Sequence, residues 1–429
     1  MKRKKDEYFI GMVDNFAASQ RYSKSRKRRK AKLYLKRGLL IALCVLIIAG
    51  IGAGTYFFLI PAVKNWTASW GATKDEVTPD EATKDEAPTT APTKAPTEPP
   101  TEAPTTEPAT ESPTANVSNL DFVTPQIPDD GKDGSLYSST LYLYNNAGYN
   151  LFFSNDKVAK HYASAINSIA KGIDKKITVY NMVIPNHTEF GLPTRISKEV
   201  ETVSQADNIN TIYKALDKRV TPINCYNALA NHNSEYIYYN TDHHWTSLGA
   251  YYGYTAFCEQ TGKTPVDINS LKKNSISGFT GSFYTLTGNS GLYSNADTVD
   301  YYDLPVETSA KMKERMGSDT IYCDVYYPAS TSGTLTYGVF CWGDTAQFVI
   351  SSSANTGKKI AVVKDSYGNA FAPYLAAHYD EVHLLDFRYW GGNLNDYLKQ
   401  NGIDEVLIMN NTMSANSTSQ VNSMSGALS

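Results

Sequence analysis

The chain has 429 residues, enough for one large domain with appendages, and a formal net charge of −3 from 40 Lys/Arg against 43 Asp/Glu. The balance is uneven: residues 1–38 hold 14 Lys/Arg and 3 Asp/Glu, while the remaining 26 Lys/Arg and 40 Asp/Glu lie after residue 60. The basic end is not a nucleic-acid signature, because an uncharged span follows it. The absence of a P-loop and of a GxGxxG after a strand excludes the usual nucleotide, flavin and nicotinamide motifs, so no cofactor is expected.

In chain order, residues 1–38 read as a cytoplasmic basic tail. Residues 39–60 (LLIALCVLIIAGIGAGTYFFLI) are 22 residues without a charge. As a helix they would span roughly 33 Å, enough for a bilayer core. The stretch is longer than a typical signal core and no small-x-small cleavage site clearly follows, so a retained transmembrane helix is expected. The Lys/Arg cluster before it sets the N-terminus in the cytoplasm and the rest of the chain outside, with anionic lipid headgroups as its contact. Residues 61–119 read as a disordered Pro/Thr-rich linker. ATKDE occurs twice, at 72–76 and 82–86, and residues 87–114 carry eight prolines, many threonines and no aromatic residue. Such a segment cannot bury a core, and its extended reach of roughly 90 Å suits a stalk.

The globular domain is expected over 120–429. Residues 140–144 and 150–153 pattern as strands around an Asn-Asn-Ala-Gly turn. Val158, Tyr162, Ile166 and Ile169 share a helical face that stops at Gly172. Residues 177–184 form a buried-strand pattern, 208–218 a helix, 236–239 a short strand and 247–259 a helix. Residues 262–355, rich in Gly, Ser, Thr and Tyr, read as an insertion of strands and loops. Alternation then resumes, with strands at 359–364, 382–385 and 406–409 and helices at 369–378 and 394–401. Strands alternating with helices indicate an α/β fold, a parallel sheet sandwiched by helices, whose ligands bind at the carboxyl ends of strands. Cys225, Cys258, Cys323 and Cys341 lie in the exported part, where disulfides are permitted. Cys323 and Cys341 are candidates to clip a hairpin; the alternative is four buried free thiols.

Two stretches carry the chemistry. In KDSYGNAF, Ser366 follows the apolar run IAVV and precedes a helix, with Gly368 permitting a tight turn. The first amides of that helix would face the turn and could bind an oxyanion while the hydroxyl stays exposed; the plainer alternative is a helix cap. In TDHHWTSLGA, residues two apart on an extended segment point the same way, so Asp242 and His244 share a side. Ser366, His244 and Asp242 are thus the candidate nucleophile, base and orienting group. His243 is expected to point away, towards structure or substrate. Trp245 is expected to exclude water or stack on a sugar, and Tyr367 and Asn369 are further candidate substrate contacts. A metal site built from Asp242, His243 and His244 is the competing reading; adjacent histidines do not easily ligate one metal, and none is expected.

TDHHWTSLGA, KDSYGNAF and the single-span topology together resemble the DHHW family of Gram-positive bacteria, which is itself similar to SGNH-hydrolase-like polysaccharide O-acetyltransferases of the alginate-acetylation type. The resemblance covers about residues 135–412, including NMVIPNHTEF and GSFY. The usual glycine before Asp-Ser is Lys364 here, which alters the expected oxyanion geometry. The resemblance implies an SGNH-like serine O-acetyltransferase or esterase acting on cell-wall glycan or exported polysaccharide, with acetyl supplied by a membrane acyltransferase partner. The 31 tyrosines of the chain suit a carbohydrate-binding surface. The alternative is a non-catalytic envelope carbohydrate-binding protein on the same fold.

Overall fold

The computed structural model describes residues 121–328 and 333–428. The tail, the membrane span at 39–60 and the linker at 61–119 lie outside the described residues. Among those described, no helix is long and apolar enough to cross a membrane.

The domain opens with a three-stranded antiparallel sheet, β1 (Ser135–Ser138), β2 (Leu141–Tyr144) and β3 (Ala147–Asn150). The turn between β2 and β3 is only Asn145-Asn146, both at positive φ (48° and 57°). Asparagine tolerates that region, and its twist matches a hairpin, so β3 starts three residues earlier than the sequence pattern places it. The helix Asp156–Gly172 follows, begun by the Asn155 side chain accepting from the Val158 amide.

Then come β4 (Thr178–Ile184), the helix Gln205–Lys214, β5 (Val220–Ile223) and the helices Cys225–Asn231 and Ser247–Thr261. The segment 262–355 supplies the pair β6 (Lys273–Phe279) and β7 (Asp297–Tyr302), then β8 (Thr308–Lys313), β9 (Ile321–Cys323) and β10 (Gln347–Ser352). The chain ends with β11 (Lys359–Lys364), the helix Gly368–Leu375, β12 (Glu381–Asp386), the helix Leu394–Asn401, β13 (Glu405–Asn411) and the helices Thr412–Ala415 and Thr418–Leu428.

An eight-stranded sheet organises the described residues, in the order β5-β4-β13-β11-β12-β10-β8-β9. The first five strands are parallel, and β10, β8 and β9 add on antiparallel. The sheet is therefore mixed rather than parallel throughout. The difference comes from the 262–355 segment, whose β8 (TSAKMK) buries only alternate residues, Ala310 and Met312. A half-exposed strand of this kind suits the antiparallel edge of a sheet, whereas the continuous apolar run of β11 demands cover on both faces. Two helix groups supply that cover. Asp156–Gly172, Gln205–Lys214 and Thr418–Leu428 pack together, as do Cys225–Asn231, Ser247–Thr261 and Gly368–Leu375. One contiguous core joins both groups to the sheet.

Residues 236–239 do not form the expected strand. Tyr238 makes a single antiparallel bridge to Trp245, because the chain turns straight back through the Asp-His-His stretch. The four described cysteines are free thiols, with Cys323 half-buried and the others buried, so no disulfide clips the hairpin.

Candidate active site

The serine turn is fixed by what surrounds it. β11 is buried to its end, and Lys364 at its last position lies in register with Asp386 of β12. Asp365 ties the turn to the end of β13: its Oδ2 accepts from the Asn411 amide (2.8 Å) and from Asn411 Nδ2 (2.9 Å). Burial pushes the Asp365 carboxyl up, and the Asn411 hydrogen bond opposes that shift. Three amides close the turn on itself. Tyr367 N–H donates to Asp365 Oδ1 (3.1 Å), Gly368 N–H to the Asp365 carbonyl (3.0 Å) and Asn369 N–H to the Ser366 carbonyl (3.2 Å). These are the amides expected to hold an oxyanion, and in this structure they are spent inside the turn.

Lys364, standing where a glycine is usual, is buried and does not fill the site. It donates to Asp386 (2.8 Å), which also takes Nε and an outer nitrogen of Arg388 (2.8 and 2.6 Å). Asp344 completes the cluster, 3.0 Å from Arg388, 3.6 Å from Arg315 and 4.0 Å from Lys364. Burial would raise the Asp344 carboxyl, but Arg388, Lys364 and Arg315 hold it well below the ordinary carboxylate range. The lysine stem also explains Gly368: a Cβ there would lie 2.6 Å from Lys364 Cβ.

The histidine loop is pinned from below. Asp297 of β7 accepts from the amides of Asn240 (2.9 Å) and Thr241 (2.8 Å) and from the Thr241 hydroxyl (2.5 Å). With the loop so held, Asp242 Oδ1 accepts from the His244 amide (2.9 Å) and lies 2.5 Å from His244 Nδ1, while His244 Nε2 lies 2.7 Å from Ser366 Oγ. The second carboxylate oxygen accepts from the Ser282 amide (2.8 Å). Burial would raise Asp242, but the two neighbouring histidines, His244 as donor and the Ser282 amide outweigh it, and the group is held ionised. An ionised carboxylate only accepts, so His244 Nδ1 carries the proton and Nε2 is left to accept from the serine hydroxyl.

His243 does not turn fully away. Its ring lies 3.9 Å from that of His244, and its Nδ1 is 2.7 Å from Ser282 Oγ. Burial, and then the neighbouring His244, lower its pKa to about 4, so it is neutral at pH 7. The ligating atoms of Asp242, His243 and His244 lie within 4.8 Å of one another, so among the described residues these three could hold a metal. The same atoms are the ones hydrogen-bonded to Ser366, to Ser282 and to each other. Their pattern fits a base oriented by an ionised carboxylate, and a metal would have to displace it.

Three expected substrate contacts are placed otherwise. Trp245 is fully buried (0% exposed) and cannot stack on a sugar; its indole N–H donates to the Tyr367 carbonyl (3.0 Å), locking the histidine loop to the serine turn. Tyr367 is buried, and its hydroxyl donates to the His243 carbonyl. Asn369 is buried with Nδ2 on Asp344 (3.2 Å), and its Oδ1 has no partner. Sequence reasoning missed Asp297, Ser282 and Tyr337, whose ring covers the face of His244. Ser282 sits in the GSFY segment and was within reach of the sequence reading. Nothing in the sequence separates Asp297 from the other acidic residues, or Tyr337 from the other tyrosines.

Fold and site define an α/β protein with a serine–histidine–aspartate line at the carboxyl end of a parallel strand. A family model described as "DHHW protein" matches residues 124–385, and the chain belongs to that family. Among solved structures, a DHHW family protein from Eubacterium siraeum DSM 15702 is 29% identical over 70% of this chain and 99% of its own, with a TM-score of 0.64. Bacillus cereus PatB1 is similar in two structures. The one with a sulfonyl adduct is 19% identical over 69% of this chain and all of its own (TM-score 0.55). The other is 23% identical over 67% and 99% (TM-score 0.53). At those identities the PatB1 likeness is one of fold. No curated protein matches the chain.

Proposed function

We propose that this protein is an extracytoplasmic serine O-acyltransferase or esterase, moving or removing acetyl groups on a cell-envelope or exported polysaccharide. The observation that carries the reading is the Ser366–His244–Asp242 line, with separations of 2.7 and 2.5 Å. In the proposed reaction His244 Nε2 takes the hydroxyl proton as Ser366 Oγ attacks the ester carbonyl. Collapse of the tetrahedral adduct passes that proton to the departing alcohol and leaves an acyl-serine. A glycan hydroxyl, or water, then gives its proton to Nε2 and attacks the acyl carbon, and Nε2 passes that proton to Ser366 Oγ as it leaves. Asp242 keeps the imidazole in the right tautomer and stabilises its protonated form.

The acetyl class and the glycan acceptor rest on the motif resemblance, as does a membrane acyltransferase partner supplying the acetyl group. Attachment through residues 39–60, with the N-terminus inside and the domain outside, belongs to the same proposal. Protease added to intact, wall-stripped cells should remove the domain, and a protected domain would refute that topology.

The chemical test is turnover of an activated acetyl ester by the full-length protein. Ser366→Ala should abolish it, and His244→Ala should cost nearly as much, since serine is a poor nucleophile without a base. Asp242→Ala should cost less, because it orients the ring without taking the proton. Wild-type turnover by Ser366→Ala would refute the nucleophile. Glycan binding without any turnover by the unmutated protein would make it the carbohydrate-binding protein instead.

A further inference from the structure

Tyr337 stands on the short 3-10 segment Gly333–Val339, inside the insertion, far in sequence from both motifs. Its ring lies face to face with the His244 imidazole, centroids 3.9 Å apart and planes 9° from parallel. Its hydroxyl donates to the Ser366 carbonyl (3.1 Å). Burial holds the phenol proton well above its usual range, so the group stays a neutral donor. The segment is anchored at its carboxyl end to residues 325–327. The Tyr327 amide donates to the Val339 carbonyl (2.9 Å), and the Cys341 amide to the Val325 carbonyl (3.0 Å). Beyond it, Cys341, Trp342 and Gly343 all take positive φ (50°, 59° and 75°), and Asp344 ties the end to Arg388 and Arg315. Non-glycine residues in that region are strained, and persist where the surroundings over-determine them.

We propose that Tyr337 is a positioning residue, which fixes the His244 ring between Ser366 and Asp242 and stabilises its protonated form during acyl transfer. The inference rests on the serine–histidine–aspartate reading above. Asp242 holds one edge of the imidazole, Ser366 the other, and Tyr337 covers one face of the ring. When His244 takes the serine proton it becomes a cation, and an electron-rich ring face at this distance favours the cation. The other titratable groups near this pair are His243 at 3.9 Å, Tyr367 at 5.2 Å, Tyr239 at 6.2 Å from Tyr337, and Asp344, whose carboxyl His244 helps to hold low. The insertion is thereby a working wall of the site.

The experiment is an NMR titration of the His244 imidazole in histidine-labelled full-length protein, assigned through His244→Gln, alongside ester kinetics. Tyr337→Phe keeps the ring and should leave the midpoint and kcat close to wild type. Tyr337→Leu keeps the site dry but removes the ring. It should lower the midpoint by about half a unit, roughly a threefold loss in proton affinity. It should also lower kcat about 10- to 100-fold with KM within about twofold, since a misplaced ring harms only the reacting geometry. The acidic limb of kcat/KM should move down with the midpoint. If the leucine variant does not fold, Tyr337→Met serves as the ring-free variant. An unchanged midpoint in the ring-free variant overturns the proposal, and so does a phenylalanine variant displaced as far as the ring-free one. The titration needs no turnover: a displaced midpoint in a protein that never cleaves the ester would uphold the stacking role and refute the enzymatic reading.

Discussion

At the scale of single residues, the site depends on charges that are buried only because they are paired. Lys364 illustrates this. Its place before Asp-Ser would usually be glycine, and a lysine there alters the expected oxyanion geometry. Register instead carries the ammonium to Asp386, where Arg388 and Asp344 share the load. Breaking one partner of a buried cluster leaves uncompensated charge, which costs about 3–5 kcal/mol. Asp386→Ala should therefore destabilise the domain by about that much in urea denaturation. Lys364→Met, which leaves Asp386 with Arg388, should cost less. Equal and small losses for both would mean that the cluster is not a structural anchor. The cluster was not legible in the sequence, because Asp344 and Arg388 lie far from Lys364 along the chain and no local pattern joins them.

At the scale of elements, two loops are held at a fixed distance by a third. The helix Ser282–Thr287 begins beside Asp242, and its Ser282 amide takes the outer carboxylate oxygen. Gly281, just before it, leaves no room for a side chain: a Cβ would lie 2.2 Å from Asp242 Cβ. That neighbour is the root of a side chain and cannot swing aside. Gly281→Ala should displace Asp242 by a fraction of an ångström or more and lower kcat for an activated ester by roughly 100-fold, the cost of a comparable misplacement near reacting groups. Full activity in Gly281→Ala would show that the loop tolerates the shift. The i, i+2 spacing of Asp242 and His244 could be read directly from the sequence, as could the strand-to-helix setting of Ser366. The buried Trp245 could not: an aromatic beside two histidines looks like a substrate wall until its indole is seen bonded to the Tyr367 carbonyl. β11 and the helix Leu394–Asn401 were legible to the residue, because their apolar runs and caps are local. β1, β5 and the antiparallel edge were not, because they are defined by their partners.

At the scale of the whole domain, acid should act through buried histidines. Burial lowers His187 to about 4, and its Nδ1 has no hydrogen-bond partner. Unfolded, it would titrate near 6.5, so between those values the unfolded chain binds more protons than the folded one. The stability from a neutral His187 is full above about pH 6.5 and lost as pH falls towards 4, about 3 kcal/mol in all. Buried Glu189, Asp297 and Asp365 are held above their ordinary values and work in the opposite direction. The expectation is therefore differential. Between pH 6.5 and 4 wild type should lose stability relative to His187→Gln, measured as urea midpoints across that range. Parallel curves would mean that His187 is solvated when protonated.

Labelling chemistry can test whether Ser366 is a nucleophile activated by His244. The most direct measurement is intact-mass and peptide-mapping mass spectrometry of the full-length protein after exposure to a sulfonyl fluoride, a reagent that sulfonylates an activated serine. The expected result is a single adduct on Ser366, absent in Ser366→Ala and formed at least about 100-fold more slowly in His244→Ala. An adduct on another residue, or a Ser366 that labels as fast without His244 as with it, would contradict the account.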